Sequence, residues 1–357
     1  MSTPPLRVTL AGPSFGTYGG VQAVMLAIAR FLADEGVQVR VCFKLVNGTS
    51  VVPTFRDVLT DSGLPCTVTG KATAPSFLRA LRWAQVVHVH TPSADICALA
   101  RLLQRPVAVT VHNHRPDDDH NRLWRSQAAL YLSQRIWFTS RFVGDTWGMS
   151  ERAPRFEKAP TVADLPTGVV PPGMRRGFVS IARLIPNKGL DDLIRAYALA
   201  RIDHAKQPLT IVGEGPLERS LIDLAAANGV GEHVSLPGFV DAPTRDALIR
   251  ESRWLVAPAK TKEDLGLTPL EARHVGVPCI VTRDGGLPEA GGREALLCEP
   301  GDVPGLARSL EAASDLSAEE YAARGERTRR ELMAYLRPLS WFSERYAAMA
   351  RVGHGIP

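Results

Sequence analysis

The stretch LRVTLAGPSFGTYGGVQAVMLAIARFLADEG, Leu6 to Gly36, reads as a strand, a glycine turn and a helix in succession. LRVTLAG is apolar with β-branched residues, PSFGTYGG is turn chemistry, and the apolar residues of VQAVMLAIARFLADEG recur at helical spacing until Gly36 stops them. VQVRVCF then alternates as a second strand. The chain thus opens a doubly wound α/β sheet. VVHVH, VAVTVH and RIWFTS continue it as strands, with helix-like stretches such as APSFLRALRWA and ADICALARLLQ before them. The first half predicts one parallel sheet.

Between Arg152 and Arg176 the pattern gives way to ERAPRFEKAPTVADLPTGVVPPGMRR, rich in proline and without periodicity, which reads as a linker. A second alternation follows: GFVSIARL, PLTIVGEG, HVSLPGF, WLVAPA and PCIVT as strands, separated by GLDDLIRAYALAR, PLERSLIDLAAANGV, APTRDALIRESR and LTPLEARHVG as helices. The short strand ALLCE and the helix VPGLARSLEAAS come after them. A chain of 357 residues exceeds one growing core, so two domains of about 150 residues are expected. We place them at residues 1–170 and 171–336, with an amphipathic helix over 337–357 that returns to the first domain. Two such domains leave a cleft between the carboxyl ends of their sheets, where open α/β sheets bind ligands.

Composition narrows the function. Hydrophobic residues make up 45% and charged residues 22%, an ordinary globular balance, and no apolar run reaches the roughly 18 residues of a membrane span. The opening residues lack the pattern of a secretory signal, so a cytoplasmic location is expected. Five scattered cysteines suit buried, reduced thiols better than a disulfide framework or a zinc site. The net charge of +5 favours acidic partners. Basic residues are dispersed, and no zinc-finger or RNA-binding signature is present, which argues against nucleic acid.

Two glycine turns carry the candidate chemistry. Gly16, Gly19 and Gly20 follow the first strand without forming G-x-G-x-x-G or a P-loop, yet they allow close backbone approach and N–H groups suited to phosphate. A ligand-free strand-to-helix turn is the alternative. In the second half, Arg183 and Lys188 straddle a Pro-Asn turn at a strand end, where two cations suit a diphosphate. The segment TKEDLGLTPLEARHVGVPCIVTRDGGLPE, Thr261 to Glu289, then sets Glu263 and Glu271 on either side of a helix start, with the N–H groups of Gly266, Leu267 and Thr268 at its positive end. Acids beside an anion site make sense for a ligand that carries hydroxyls as well as phosphate, such as a nucleotide bearing a second sugar.

The wording EDLGLTPLEA, continuing through GVPCIVTRDGGLPE and EPGD and preceded by ARLIPNKGLDDLIRAY and IVGEGPLERSL, resembles the retaining glycosyltransferases of family 4, which have the GT-B fold of two Rossmann-like domains. The resemblance covers almost all of the second domain and extends more loosely to YGGVQAVMLAIARFLADEG in the first. It implies a transferase that moves a hexose from a nucleoside diphosphate sugar to an acceptor hydroxyl, with no metal or other cofactor required. It implies that Glu263 contacts hydroxyls of the donor sugar and Glu271 the ribose. Arg183 and Lys188 hold the diphosphate, assisted by Gly19, Gly20 and the amides of Gly266 to Thr268, and His112 stands beside the transferred sugar. The implied partners are a nucleotide-sugar donor and a sugar, lipid-linked or small-molecule acceptor, and the implied role is in surface polysaccharide or glycoconjugate synthesis. The segment TVADLPTGVVPPG stands where many members carry Asn-Gly-Val-Asp, and the region between Lys44 and Trp83 matches nothing in the family, so the acceptor stays open.

Three other readings remain. A nucleotide-sugar epimerase or a silent binding module of the same fold would keep the phosphate grip. The histidines His88, His90, His112, His114 and His120 suggest a metal hydrolase, although no acid stands at diagnostic spacing. The Asp117 to Asp119 run lies in a proline-flanked loop and reads as a solvated turn. APSFLRALRWA sets Phe77, Leu78, Leu81 and Trp83 beside Arg79 and Arg82, a pattern suited to peripheral contact with the inner membrane face and, more commonly, to packing on the helix's own sheet.

Overall fold

The structure is a computed structural model that describes residues 5–46, 48–116, 120–149 and 153–353. It divides into two compact units, Met1–Asp164 with Leu336–Pro357, and Leu165–Tyr335. In the first, β1 (Arg7–Ser14), β2 (Gln38–Leu45), β3 (Cys66–Thr69), β4 (Val86–His90), β5 (Val107–Val111), β6 (Arg135–Phe138) and β7 (Phe156–Lys158) form a parallel sheet in the order β3-β2-β1-β4-β5-β6-β7. Helices α1 (Gly20–Asp34), α2 (Pro53–Asp61), α3 (Pro75–Trp83), α4 (Ala94–Leu102), α5 (His120–Leu132) and α6 (Arg141–Thr146) connect these strands. The apolar stripe of α1, Val24, Met25, Ile28 and Leu32, packs with Val8 and Leu10 of β1, which is why the opening periodicity was decisive.

The second unit repeats the plan. Its strands β8 (Arg176–Ile181), β9 (Leu209–Val212), β10 (Val234–Gly238), β11 (Ser252–Ala257), β12 (Cys279–Thr282) and β13 (Leu296–Cys298) are ordered β10-β9-β8-β11-β12-β13, again parallel. The helices are α7 (Leu190–Leu199), α8 (Glu218–Ala227), α9 (Ala242–Glu251), α10 (Leu267–His274), α11 (Leu287–Gly291), α12 (Val303–Asp315) and α13 (Ala318–Tyr335). The expected two doubly wound sheets are present.

The last helix, α14 (Leu339–Gly353), belongs to the first unit, where it buries Trp341, Phe342 and Tyr346 against Trp137, Val86 and Val8. Withdrawing such side chains from water contributes about 1.5–3 kcal/mol each, enough to hold the chain end there.

One expectation is corrected. The proline-rich segment is not wholly linker, because Phe156–Lys158 forms β7 and pairs with β6 in the register Ile136↔Phe156. Three residues are too few for a legible period. The apolar face of α3 is turned to its own sheet: Phe77 and Leu81 are fully buried, and Arg40 covers the Trp83 ring at 4.3 Å. Of the two readings the sequence offers for this helix, the structure has the commoner one, packing on its own sheet. Among the described residues no helix is long and apolar enough to cross a membrane. The cysteines are free, and burial pushes Cys42, Cys97 and Cys279 up to about 12, leaving inert thiols. Asp117 to Asp119 lie outside the described residues.

Candidate functional site

In the second unit β8 and β11 are neighbours from which the chain proceeds in opposite directions across the sheet, so their carboxyl ends form its switch point. The candidate residues converge there. Arg183 follows β8 and is exposed, and Lys188 ends the short turn Pro186–Lys188. The next residue, Gly189, lies against the loop after β11, where a Cβ would meet the Pro258 carbonyl oxygen at 2.0 Å. Lys260 locks the two loops together: its N–H donates to Asn187 O at 2.9 Å, and its Nζ reaches Asp191 at 2.9 Å and Asp192 at 3.0 Å.

With the loops locked, Lys188 Nζ donates to the Glu263 carboxylate. Both side chains are partly buried, at 20% and 24% exposure, so the pair is shielded from bulk screening. The Glu263 backbone is held from behind by the diglycine, since Gly286 N–H donates to Glu263 O at 2.7 Å. A Cβ on Gly285 would stand 2.4 Å from that same oxygen, and Gly285 has φ +58°. The Gly285–Gly286 pair therefore lets one loop lie directly on another.

Gly266 caps α10 with φ 88°, ψ 88°, so the first amides of the helix follow Glu263 by only a few residues. Glu271 sits further along α10 and is buried at 6% exposure, with Arg245 of α9 at 3.8 Å. The two acids thus have different settings. Glu263 is accessible and paired with Lys188, whereas Glu271 lies beneath the surface beside Arg245.

In the first unit the switch point lies between β1 and β4. Gly16 is required by the fold: its φ is +80° and a Cβ would stand 1.9 Å from Ser50 O. Gly19 is not. Its backbone is extended, and a Cβ there would meet only Gln22 Oε1, at 3.5 Å. Gly19 and Gly20 are exposed at the start of α1. The chain's own packing gives no reason for glycine at position 19.

His112 follows β5 and is half-buried, with its Nε2 3.0 Å from Nδ1 of the fully buried His90. His88 uses both ring nitrogens, on Tyr346 OH and Thr110 Oγ1, each at 2.7 Å. His114 stands apart from this ladder, and His120 begins α5 at the surface. His114 lines a cavity of about 620 Å³ with Phe15, Lys44, Asp95, Trp124 and Arg125. Among the described residues no three His, Cys, Asp or Glu side chains are arranged to hold a metal ion.

Sequence reasoning passed over Lys260, Gly285 and Gly286, and read His90 only as a candidate metal ligand and not as a partner of His112. The diglycine was visible as a motif, and the alternation of VHVH places His88 and His90 on one strand face, but their partners lie 22 or more residues away.

Similarity to known proteins agrees with this fold. Residues 168–331 match the family Glycosyl transferases group 1, and residues 18–148 match Glycosyltransferase Family 4. A glycogen synthase of Mycobacterium tuberculosis is 35% identical over 152 residues, 42% of this chain and 36% of that protein. A GDP-mannose-dependent alpha-(1-6)-phosphatidylinositol monomannoside mannosyltransferase of Mycolicibacterium smegmatis is 37% identical over 123 residues, 33% of this chain and 32% of that protein. The chain thus spans about a third of the length of the curated relatives it matches. Among solved structures, Anabaena HepE in complex with UDP aligns with a TM-score of 0.77 over 97% of this chain and 100% of that one, at 15% identity, a likeness of fold alone. A glycosyltransferase from Rickettsia africae aligns over 97% of this chain and 99% of its own with a TM-score of 0.74, at the same 15% identity. The chain belongs to the GT-B-fold glycosyltransferases, with a family 4 module in its first unit and a group 1 module in its second.

Proposed function

We propose that the chain is a retaining hexosyltransferase that uses a nucleoside diphosphate sugar and delivers the sugar to an acceptor hydroxyl in surface polysaccharide or glycoconjugate synthesis. The observation that carries this reading is the Lys188–Glu263 pair at the second unit's switch point, seated on the diglycine and followed by the Gly266 helix start. A lone cation there would suit a simple phosphate site, and a lone acid would repel phosphate. A coupled pair suits a ligand with a diphosphate next to hydroxyls.

In this reading Arg183 and Lys188 take the diphosphate, the amides of Gly266 to Thr268 add helix-end charge, and Glu263 accepts hydrogen bonds from the donor sugar. Glu271 takes the ribose hydroxyls. The first unit contributes His112 beside the transferred sugar and the exposed amides of Gly19 and Gly20. The bond between the anomeric carbon and the phosphate oxygen breaks with both electrons leaving on phosphate, and the acceptor oxygen bonds to the anomeric carbon on the same face. The acceptor proton passes to the departing phosphate oxygen, so no carboxylate nucleophile is needed. Stabilising the leaving diphosphate is the main electrostatic task. We propose that this is met by Arg183, Lys188 and the helix end, without a metal, on the cytoplasmic side and with any membrane contact peripheral.

The test is binding and turnover of UDP-, GDP-, ADP- and TDP-sugars by the purified protein in the presence of a chelator. One donor that binds and is slowly hydrolysed supports the reading and names the base. Failure of all four to bind sinks it.

A further inference from the structure

The buried histidines of β4 are not used by the chemistry proposed above, and buried imidazoles are costly unless their nitrogens are satisfied. His88 is satisfied by Tyr346 and Thr110. His90 is not: its Nδ1 meets His112 Nε2 at 3.0 Å, while its own Nε2 is buried without a hydrogen-bond partner. The two rings stack at 22° with centroids 5.3 Å apart, and the tilted His88 ring has its centroid 4.0 Å from that of His90.

One proton is shared across the 3.0 Å contact, and it resides on one ring or the other. If His112 donated, the proton of neutral His90 would have to sit on Nε2, a buried N–H with no acceptor. If His90 donates through Nδ1, only a lone pair is left without a partner, which is the less costly defect. We infer that His90 is a positioning residue that donates from Nδ1 to His112 Nε2 and thereby fixes His112 as a neutral ring with its proton on Nδ1. Burial, and after it the neighbouring His88 and His112 rings, holds His90 well below its ordinary 6.5, so the donor stays neutral. A cationic His112 would need an Nε2 proton where His90 already presents one. His112 then acts as an oriented, uncharged group and not as a proton shuttle, which agrees with transfer of the acceptor proton to the leaving phosphate.

This inference rests on the proposed role of His112, and its test separates the two. Long-range 15N correlation spectra of the labelled full chain at neutral pH, with His112 assigned by its loss in His112→Asn, read the tautomer without substrate. Bare Nε2 and protonated Nδ1 on His112 are expected, and a protonated Nε2 or a cationic ring overturns the inference. Turnover of the preferred donor is then compared in His90→Leu, which cannot donate, and His90→Asn, whose amide nitrogen stands near the position of Nδ1. The expected result is a kcat loss of about tenfold or more in His90→Leu with KM nearly unchanged, and recovery to within about threefold of the parent in His90→Asn. Equal losses in both variants overturn the positioning role, and if His90→Leu does not fold, the parent spectrum and His90→Asn decide. An Nδ1-protonated His112 in a protein that turns over no sugar nucleotide leaves the tautomer standing and removes the functional reading.

Discussion

The two units share a strand order through their first six strands and differ in what stands at the switch point. In the second, exposed or half-buried loops are held by charge: Lys188 on Glu263, and Lys260 on Asp191 and Asp192. In the first, the neighbouring strand ends carry buried, neutral imidazoles held by hydroxyls and by one another. The topology supplies a place for a ligand in each case. On the proposed reading, the second unit prepares it for an anion with hydroxyls, and the first supplies uncharged, oriented groups and an open glycine turn.

The largest test of this contrast is Glu263→Ala. Transfer should fall on the order of 10²–10³-fold while nucleoside diphosphate affinity, measured by calorimetry, changes little, because the lost contacts are to the sugar. Full activity in that variant contradicts the assignment of the charged site. In the first unit the two glycines should separate cleanly. Gly16→Ala must fit a left-handed backbone and a clash with Ser50 O, and a loss of about 2–4 kcal/mol is expected in urea unfolding. Gly19→Ala should stay within about 0.5 kcal/mol of the parent yet weaken donor binding, and unchanged donor affinity would make that turn merely structural.

Lys188→Met should raise the dissociation constant for the nucleoside diphosphate about 10–100-fold, as expected for a charge-assisted contact worth about 1.5–3 kcal/mol. Retained affinity would mean that Lys188 serves only to orient Glu263. The smallest effect concerns Lys260. Burial alone would raise the Asp191 carboxyl, but hydrogen bonds from Lys260 and Arg195 outweigh it and hold the group below its ordinary 3.8. A lowered carboxylate contributes stability that is complete above the unfolded value and disappears as pH falls through the folded one. The second unit should therefore lose stability as pH drops below 3.8, and Lys260→Met should flatten that dependence in acid titrations followed by circular dichroism.

The parallel sheets were legible because their strands are short apolar runs punctuated by glycine, and helices such as α1 carry a wide apolar stripe. Where the buried stripe is small or polar, legibility fails. The 18-residue α13 buries Tyr321, Gly325, Thr328 and Leu332, a helical spacing that hydrophobicity alone does not reveal. The short β7 escaped for want of length. At the site, Glu263, Glu271, Arg183 and Lys188 stood out by residue type at strand and helix ends. Lys260 did not, because a single lysine after a strand looks like any other until its partners, nearly 70 residues earlier, are brought beside it.

From the sequence alone came the order of elements, the two-domain plan, the charged and glycine-bearing turns and the family, all of which depend on local spacing and residue type. Tertiary structure alone decided that Lys188 closes on Glu263, that the diglycine is the bed for that acid, that α3 faces its own sheet, and that His90 reaches His112. Each of these is a contact between segments distant in the chain, set by parallel strand register and close backbone packing, and no local pattern encodes it.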